Sequence, residues 1–154
     1  SKEHGRAVSM MSSSPQLRLY IDTNIFLDHF LRRRGKSSTL LREIANGRFA
    51  GVTSHFTLSE LTGVLKELSV PHADISRIIE QVQAFPNLQI VFHDQSMFLN
   101  MPQNIIDTCV QCRDALHFMV ARFLAADRIV TRDSGFKNAV DSVIQCVTPE
   151  QLIP

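Results

Sequence analysis

A short apolar stretch that ends abruptly on an acid constrains this chain more than any other feature of its sequence. It runs Leu17-Arg18-Leu19-Tyr20-Ile21-Asp22-Thr23-Asn24. Its apolar residues predict a buried strand, and an ionised carboxylate is rarely buried without a partner. Asp22 is therefore either a turn or capping residue or one wall of a charged site. Taken alone, the capping role is the commoner one, so the assignment depends on other acids in the chain.

Length and composition predict one globular domain. The chain has 154 residues, of which 44% are hydrophobic and 20% are charged, as is typical of a folded protein that buries one core. The formal net charge of +1 excludes a global basic field, so binding to nucleic acid would need a local patch. Residues 1–15 are expected to form a disordered tail or a cloning scar, and residues 16–154 form the single domain.

Cysteine content and hydropathy favour a reduced, cytoplasmic setting. The three cysteines, an odd number, do not make a disulfide framework. No apolar run approaches the roughly 18 residues that a bilayer span requires, and the first residues lack the apolar segment of a signal peptide. We therefore expect a cytoplasmic protein without a membrane partner.

Segments with strand and helix patterns alternate along the domain. Strands are predicted at 17–22, 49–53, 88–92, 128–131 and 143–147. Helices are predicted at 25–31, from Ser37 or Ser38 to Asn46, at 54–68, 74–85 and 114–126, with a last turn at 148–150. Residues 94–112 favour a helix less clearly, because Pro102 has to lie at a start or a break. This alternation predicts a three-layer α/β/α sandwich with a mainly parallel sheet of about five strands.

Four acids occupy positions that converge in such a fold. Asp22 ends the first predicted strand, and Asp133 follows the fourth. Asp114 stands at the start of the helix that leads into that fourth strand, and both Asp114 and Glu60 lie in phase with apolar helix positions. In a parallel sheet, ligands gather outside the carboxyl ends of the strands. Each acid alone could be a cap or a half-exposed flanking residue, but together they predict one acidic crevice.

Converging carboxylates predict a metal site. Several ionised acids in one crevice repel one another, and some would protonate unless a cation compensated them. Oxygen ligands of high charge density suit Mg²⁺ or Mn²⁺. A metal held in this way activates water and stabilises the charge that develops on a phosphodiester. The predicted chemistry is therefore phosphodiester hydrolysis, which needs no histidine, and His117 is expected to be a packing residue on its helix.

The same acids carry a resemblance to a known family. The motifs are Asp22-Thr23-Asn24, Ser59-Glu60-Leu61, Arg113-Asp114-Ala115-Leu116, Thr131-Arg132-Asp133 with Phe136, and the closing Val147-Thr148-Pro149-Glu150. In this order and at this spacing they resemble the PIN domain over residues 17–152. They are most similar to the VapC-type toxins of bacteria and archaea.

This resemblance implies a function. Toxins of this type are small, metal-dependent endoribonucleases that are usually dimeric and are inhibited by a cognate antitoxin. The resemblance therefore implies an RNA substrate, Mg²⁺ or Mn²⁺ as the cofactor, a homodimer and an antitoxin partner. It implies an acidic set that binds the metal and is catalytic, with two polar neighbours. The acids are Asp22, Glu60, Asp114 and Asp133, and the neighbours are Asn24 and Thr131.

Two further motifs leave alternatives open. The densest positive run, Arg32-Arg33-Arg34 with Lys36, is either a solvated loop or a set of RNA phosphate contacts near the crevice. The Cys109-Val110-Gln111-Cys112 motif is more consistent with buried or half-buried thiols than with a zinc or redox site. Aromatic residues do not interleave with the basic run, and the phenylalanines, spaced with Leu and Ile, are expected in the core.

Two rival functions stand beside the nuclease. A catalytically inactive PIN-like module would keep the fold and bind RNA or protein, but would lack a competent metal site. A phosphoacceptor or haloacid-type phosphatase would need a second aspartate two residues after Asp22, where Asn24 stands. The leading interpretation is a metal-dependent endoribonuclease that acts as the toxin of a toxin–antitoxin pair.

Overall fold

Five parallel strands form one sheet at the centre of this computed structural model, which describes residues 16–32, 35–99, 103, 105 and 112–154. The strands are β1 (Arg18–Ile21), β2 (Ala50–Ser54), β3 (Leu88–Val91), β4 (Arg128–Val130) and β5 (Cys146–Val147). Their order is β3-β2-β1-β4-β5, and every neighbouring pair is parallel. The first strand therefore lies in the middle of the sheet, and its carboxyl end is flanked by other strand ends on both sides.

Helices connect the strands, because parallel neighbours cannot be joined by a tight hairpin. The first half of the chain contains α1 (Thr23–Leu27), which continues into a π-helical turn at Asp28–Arg32, then α2 (Lys36–Ala45), α3 (His55–Glu67) and α4 (His72–Gln83). After β3 come a 3-10 turn at Gln95–Phe98, α5 (Cys112–Phe123), α6 (Ser134–Val140) and α7 (Pro149–Leu152).

Side chains alternate across the sheet and build a separate core on each face. Leu19 and Ile21 of β1 belong to one core, whereas Tyr20 between them belongs to the other. Apolar residues of α1, α2, α3 and α4 complete the first core, and residues of α5 and α6 complete the second. This arrangement confirms the predicted three-layer α/β/α sandwich with a five-stranded parallel sheet.

The shortest elements differ from the prediction. The sequence does not predict α6, because seven residues with only Phe136 and Val140 buried carry little helical periodicity. The last strand is limited to Cys146–Val147, since residues 141–143 form a turn. Both differences lie next to β4. The helix α6 begins directly after Asp133, one of the four acids that the sequence singles out.

The start of α2 also differs from the prediction. The helix begins at Lys36, after Gly35, whose φ of 95° is a backbone conformation that favours glycine. Ser37 and Ser38 therefore lie inside the helix and do not cap it. Instead, the Ser37 hydroxyl donates to Asp28 Oδ2 at 2.9 Å, which links α2 to the π-helical turn.

Some predictions lie outside the described residues. These are the tail at 1–15, Arg33 and Arg34 of the basic run, Cys109, the side chain of Cys112, and most of the segment 100–111. Within the described part of the chain, none of the helices combines the length and the apolar character that a membrane crossing requires.

Arg132, just after β4, ties distant segments together beside the acidic edge of the sheet. Its Nε donates to Asp28 Oδ2 at 2.6 Å, and Nη1 and Nη2 donate to the two carboxylate oxygens of Glu150 at 2.9 and 2.8 Å. The Arg132 guanidinium holds the pKa of Glu150 below its usual value. These contacts, bidentate with Glu150 and single with Asp28, fix the π-helical turn and α7 against the end of β4.

We predict that Arg132→Ala lowers the free energy of unfolding by about 1–2 kcal/mol, because two acids lose charge-assisted hydrogen bonds. One of them, Asp28, is only 19% exposed. Urea denaturation measures the change. Since the folded-state pKa of Glu150 is depressed, its part of the stabilisation is present above the unfolded carboxyl pKa. The difference between parent and variant should therefore shrink as the pH falls through the depressed value.

Arg77→Ala is the matched control for this variant. Arg77 pairs with Asp74 one helical turn away on α4, and both side chains are more exposed than those of Arg132 and Asp28. Such a surface pair contributes about 0.3–0.5 kcal/mol. Equal losses in the two variants would contradict the tethering role of Arg132.

Candidate metal centre

Asp22 lies at the carboxyl end of β1, and it is only 7% exposed. It is the N-cap of α1, where its Oδ1 accepts a hydrogen bond from the backbone N–H of Thr23 at 2.7 Å. Its Oδ2 accepts from Thr131 Oγ1 at 2.6 Å and from Asn24 Nδ2 at 3.3 Å. Asp22 is therefore a helix cap, as one of the two interpretations predicts, and the cap also fixes the carboxylate in position.

Glu60 reaches the same place from α3. Its Oε1 accepts from Thr23 Oγ1 at 2.8 Å and is hydrogen bonded to His117 Nε2. Burial raises the pKa of Glu60, but its hydrogen bond and charge interaction with His117, helped by Thr23 and Arg113, bring that pKa below the usual value. Glu60 is thus held as a carboxylate beside Asp22.

His117 belongs to this site, although the sequence assigns it to packing. It lies on α5, one turn after Asp114, and it is 2% exposed. Its Nε2 contacts Glu60 Oε1 and lies 3.5 Å from Asp22 Oδ1. Both neighbours are carboxylates, which accept when ionised, so Nε2 carries the proton and donates it. The spacing of three residues from Asp114 on one helix face is the signal that identifies His117.

The ring of His117 is anchored from the second core. Its Nδ1 lies 2.7 Å from Tyr20 Oη, which in turn lies 3.1 Å from Ser54 Oγ at the end of β2. Burial raises the pKa of Tyr20, so its hydroxyl stays protonated. A chain of hydrogen bonds therefore runs from the end of β2 through Tyr20 and His117 to Glu60.

Asp114 and Asp133 form the outer wall of the site. Asp114 lies in the first turn of α5, and burial, together with the charges of Asp133 and Asp22, raises its pKa. Asp133 is exposed and is the N-cap of α6, where its Oδ1 accepts from the backbone N–H of Gly135 at 2.9 Å and of Phe136 at 3.1 Å. The structure brings all four acids to one cleft of about 160 Å³, which Arg113 also lines.

The two polar neighbours brace these acids. Thr131 Oγ1 donates to Asp22 and accepts from the backbone N–H of Asp133 at 3.1 Å, so one hydroxyl links the ends of β1 and β4. Asn24 Oδ1 accepts from the backbone N–H of Arg132 at 3.3 Å. These bonds link Asp22 to the segment that carries Asp133.

The donor set fits a hard divalent cation. One ligand atom each of Asp22, Glu60 and His117 lies within 4.8 Å of the other two, and the two outer acids line the same cleft. Among the lining residues that the structure describes, Arg113 is the one permanent cation, which leaves the acids in excess. Because His117 donates to Glu60, the carboxylates are the groups that could hold the ion. Oxygen ligands suit Mg²⁺ or Mn²⁺.

The described part of the basic run does not line this cleft. Arg32 is exposed at the end of the π-helical turn, and Lys36 Nζ donates to the backbone carbonyl of Pro154 at 2.8 Å. Lys36 thus holds the C-terminal residue of the chain. Contacts of Arg32, Arg33, Arg34 and Lys36 with RNA phosphates stay a prediction.

Comparison with protein families gives one match over most of the domain. A family model described as PIN domain matches residues 19–141, a span that contains all four acids. No curated protein matches the sequence.

Solved structures share the fold at low identity. A toxin–antitoxin complex from Klebsiella pneumoniae is 17% identical with a TM-score of 0.58, and the match covers 85% of this chain and 97% of that one. VapBC2 from Rickettsia felis, bound to a promoter DNA fragment, is 14% identical with a TM-score of 0.61 and coverages of 86% and 98%. Mycobacterium tuberculosis VapC20, a toxin that cleaves the sarcin–ricin loop, is 16% identical with a TM-score of 0.56 and coverages of 79% and 94%.

The hydrogen bonds of His117 generate a prediction that separates an orienting role from a ligand role. In His117→Gln, the amide replaces Nε2–H as the donor to Glu60, so we expect an Mn²⁺ affinity within about three-fold of the parent. In His117→Asn, the shorter amide does not reach Glu60, and we expect binding about ten-fold weaker. Titration calorimetry measures both. Complete loss of Mn²⁺ binding in both variants would identify the ring as a ligand.

Proposed function

The chain belongs to the PIN domain family, and from this premise we propose that it is a metal-dependent endoribonuclease acting as the toxin of a toxin–antitoxin pair. The family supports nuclease chemistry, and the acidic cleft supports a divalent metal. The proposal goes further by naming RNA as the substrate, and Mg²⁺ or Mn²⁺ as the ion.

One observation carries the proposal. Asp22, Glu60, Asp114 and Asp133 come from four separate parts of the chain and line a single small cleft at the carboxyl edge of the sheet. A fold gains no stability from placing four acids together, since like charges repel. Burial, together with the charges of Asp133 and Asp22, raises the pKa of Asp114 in this cleft. A function that requires negative charge at this point explains why the acids are there.

The chain's own residues prepare the site for this chemistry. In the proposal, the four acids hold the ion, which when bound supplies a nucleophilic water and stabilises the charge on the scissile phosphate. Thr131 and Asn24 fix the Asp22 carboxylate, whereas Thr23 and His117 fix that of Glu60. Rigid carboxylates lower the reorganisation that the reaction requires.

Arg113 is the strongest candidate for a phosphate contact at the cleft. It is exposed, it lies next to Asp114 at the start of α5, and it lines the cleft. A guanidinium there matches a phosphodiester by charge and geometry. The basic run of Arg32, Arg33, Arg34 and Lys36 would contact phosphates farther from the scissile bond.

An antitoxin partner, a homodimer and a cytoplasmic location complete the proposal. Support for the antitoxin comes from two structural neighbours of this fold: one is a toxin–antitoxin complex and another is VapBC2 bound to promoter DNA. For the homodimer and the cytoplasmic setting, the support is the family resemblance and the odd number of cysteines.

We predict that Asp22→Asn and Asp114→Asn each reduce metal-dependent cleavage of RNA by at least about 100-fold, because the ion loses a charged ligand. Asp74→Asn changes a partly exposed acid on α4 that does not line the cleft; it is the matched control and should retain the parental rate. Cleavage of total cellular RNA with Mn²⁺, and with chelator, measures the effect. Circular dichroism checks that each variant is folded. Equal cleavage by Asp22→Asn and the parent would refute the proposal.

Calorimetry with Mn²⁺ distinguishes the enzyme from the inactive PIN-like module. The enzyme requires binding that disappears in Asp22→Asn. A module that binds RNA without cutting it would show no such acid-dependent binding, because nothing in its function needs the ion.

A further inference from the structure

Two aromatic rings lie stacked at the same edge of the sheet as the acidic cleft. His55 directly follows β2 and Phe92 directly follows β3. Ser54 and Val91 are register partners in the parallel pair of strands, so the next residues of both strands lie side by side. Their rings are parallel, with centroids 3.6 Å apart and an angle of 6° between the planes. The strand register thus pre-arranges an aromatic stack.

The stack faces solvent. Phe92 is 72% exposed, although the sequence places it at the end of an apolar strand and assigns the phenylalanines to the core. That assignment is wrong for Phe92. One face of its ring is covered by His55, which limits the freedom of the side chain and leaves the rest of the ring accessible. A fixed, accessible aromatic face is what a nucleobase stacks on.

The stack lies near the acidic cleft. Phe56, next to His55, has its ring centroid 5.3 Å from that of His117 and 6.4 Å from that of His93. Since Tyr20 pairs with Val52 and Ser54 pairs with Val91, Asp22 lies level with the ends of β2 and β3. Two strand spacings, roughly 10 Å, therefore separate Asp22 from the end of β3. This distance places the stack within one or two nucleotides of a phosphate in the cleft.

We propose that Phe92, supported by His55, is a stacking platform for an unpaired RNA base beside the scissile phosphate. The inference rests on the proposed nuclease function and assigns the residue that holds one unpaired base at this position. The bases of a duplex are stacked on one another and offer no free face, whereas a base in a loop or an end does. The contact is uncharged, so it adds affinity without competing with the acids for the ion.

Binding of a single-stranded oligoribonucleotide, followed by fluorescence anisotropy with chelator present, tests the platform. Chelation prevents cleavage, so the measurement does not depend on nuclease activity. Phe92→Ala should raise the Kd about ten-fold, the usual effect of losing one stacked base, and Phe92→Tyr should stay within about two-fold. Phe92→Leu should resemble Phe92→Ala, because it keeps apolar bulk but has no ring.

Phe123→Ala is the matched control. Phe123 is also exposed, at 59%, but it ends α5, nine residues from Asp114 and so about 14 Å along the helix from the cleft. Its loss should leave the Kd unchanged. Thermal unfolding of each variant checks that the fold is retained, as expected for substitutions at exposed positions.

A second arm locates the stacked base. Single abasic residues are placed in turn along the oligonucleotide, and at one position the abasic residue should remove the difference between the parent and Phe92→Ala. An unchanged Kd in Phe92→Ala would overturn the platform, as would parental affinity in Phe92→Leu. A change in oligomeric state without a change in RNA affinity would also overturn it. If cleavage is lost in Asp22→Asn but is unchanged in Phe92→Ala, the nuclease proposal stands and the platform alone is rejected.

Discussion

The structure depends on the hydrogen bonds that hold a carboxyl group at the buried end of its central strand. Asp22 is surrounded by strand ends, and burial of an uncompensated charge would cost several kcal/mol. Hydrogen bonds offset this cost. The Thr23 backbone N–H donates to one carboxylate oxygen, and the side chains of Thr131 and Asn24 donate to the other. These donors come from α1 and from the segment after β4. The hydrogen bonds to one carboxylate therefore also join two distant segments of the fold.

Two of the other acids are also held by hydrogen bonds that stabilise the fold. Asp133 caps α6 with one oxygen, and Glu60 receives hydrogen bonds from Thr23 and His117. Helix caps and buried hydrogen bonds thus hold the charges in place, and stability and function share these groups. Asp114 differs, because burial and the charges of its neighbours raise its pKa.

The sequence predicts the parts of this molecule that have strong periodicity or strand-end acids. The parallel sandwich follows from apolar strands that alternate with amphipathic helices. Asp22, Asp114 and Asp133 follow from their places after strands or at a helix start, and Glu60 follows from its phase with the apolar positions of its helix. Contacts between elements are not readable in this way. The spacing from Asp114 places His117 on the same helix face, but nothing local indicates that it meets Glu60 from another helix, or that Lys36 is hydrogen bonded to Pro154. The exposure of Phe92 depends on what packs over the end of β3, which no local pattern encodes.

The proposed function, in which the acidic cleft acts on RNA, has an electrostatic difficulty, because substrate and site are both negative. The net charge of +1 provides no general attraction, so affinity has to come from particular contacts around the cleft. Arg113 offers charge at the rim, and the ring of Phe92 offers contact area that is independent of charge. A divalent ion attracts the phosphate only when the ion is bound. Stacking of a base on Phe92 would hold the RNA strand both before and after the ion binds. In the proposed function, these two tasks are carried out by different residues. The acids hold the metal that acts on the phosphate, whereas Phe92 and His55 hold a base of the substrate.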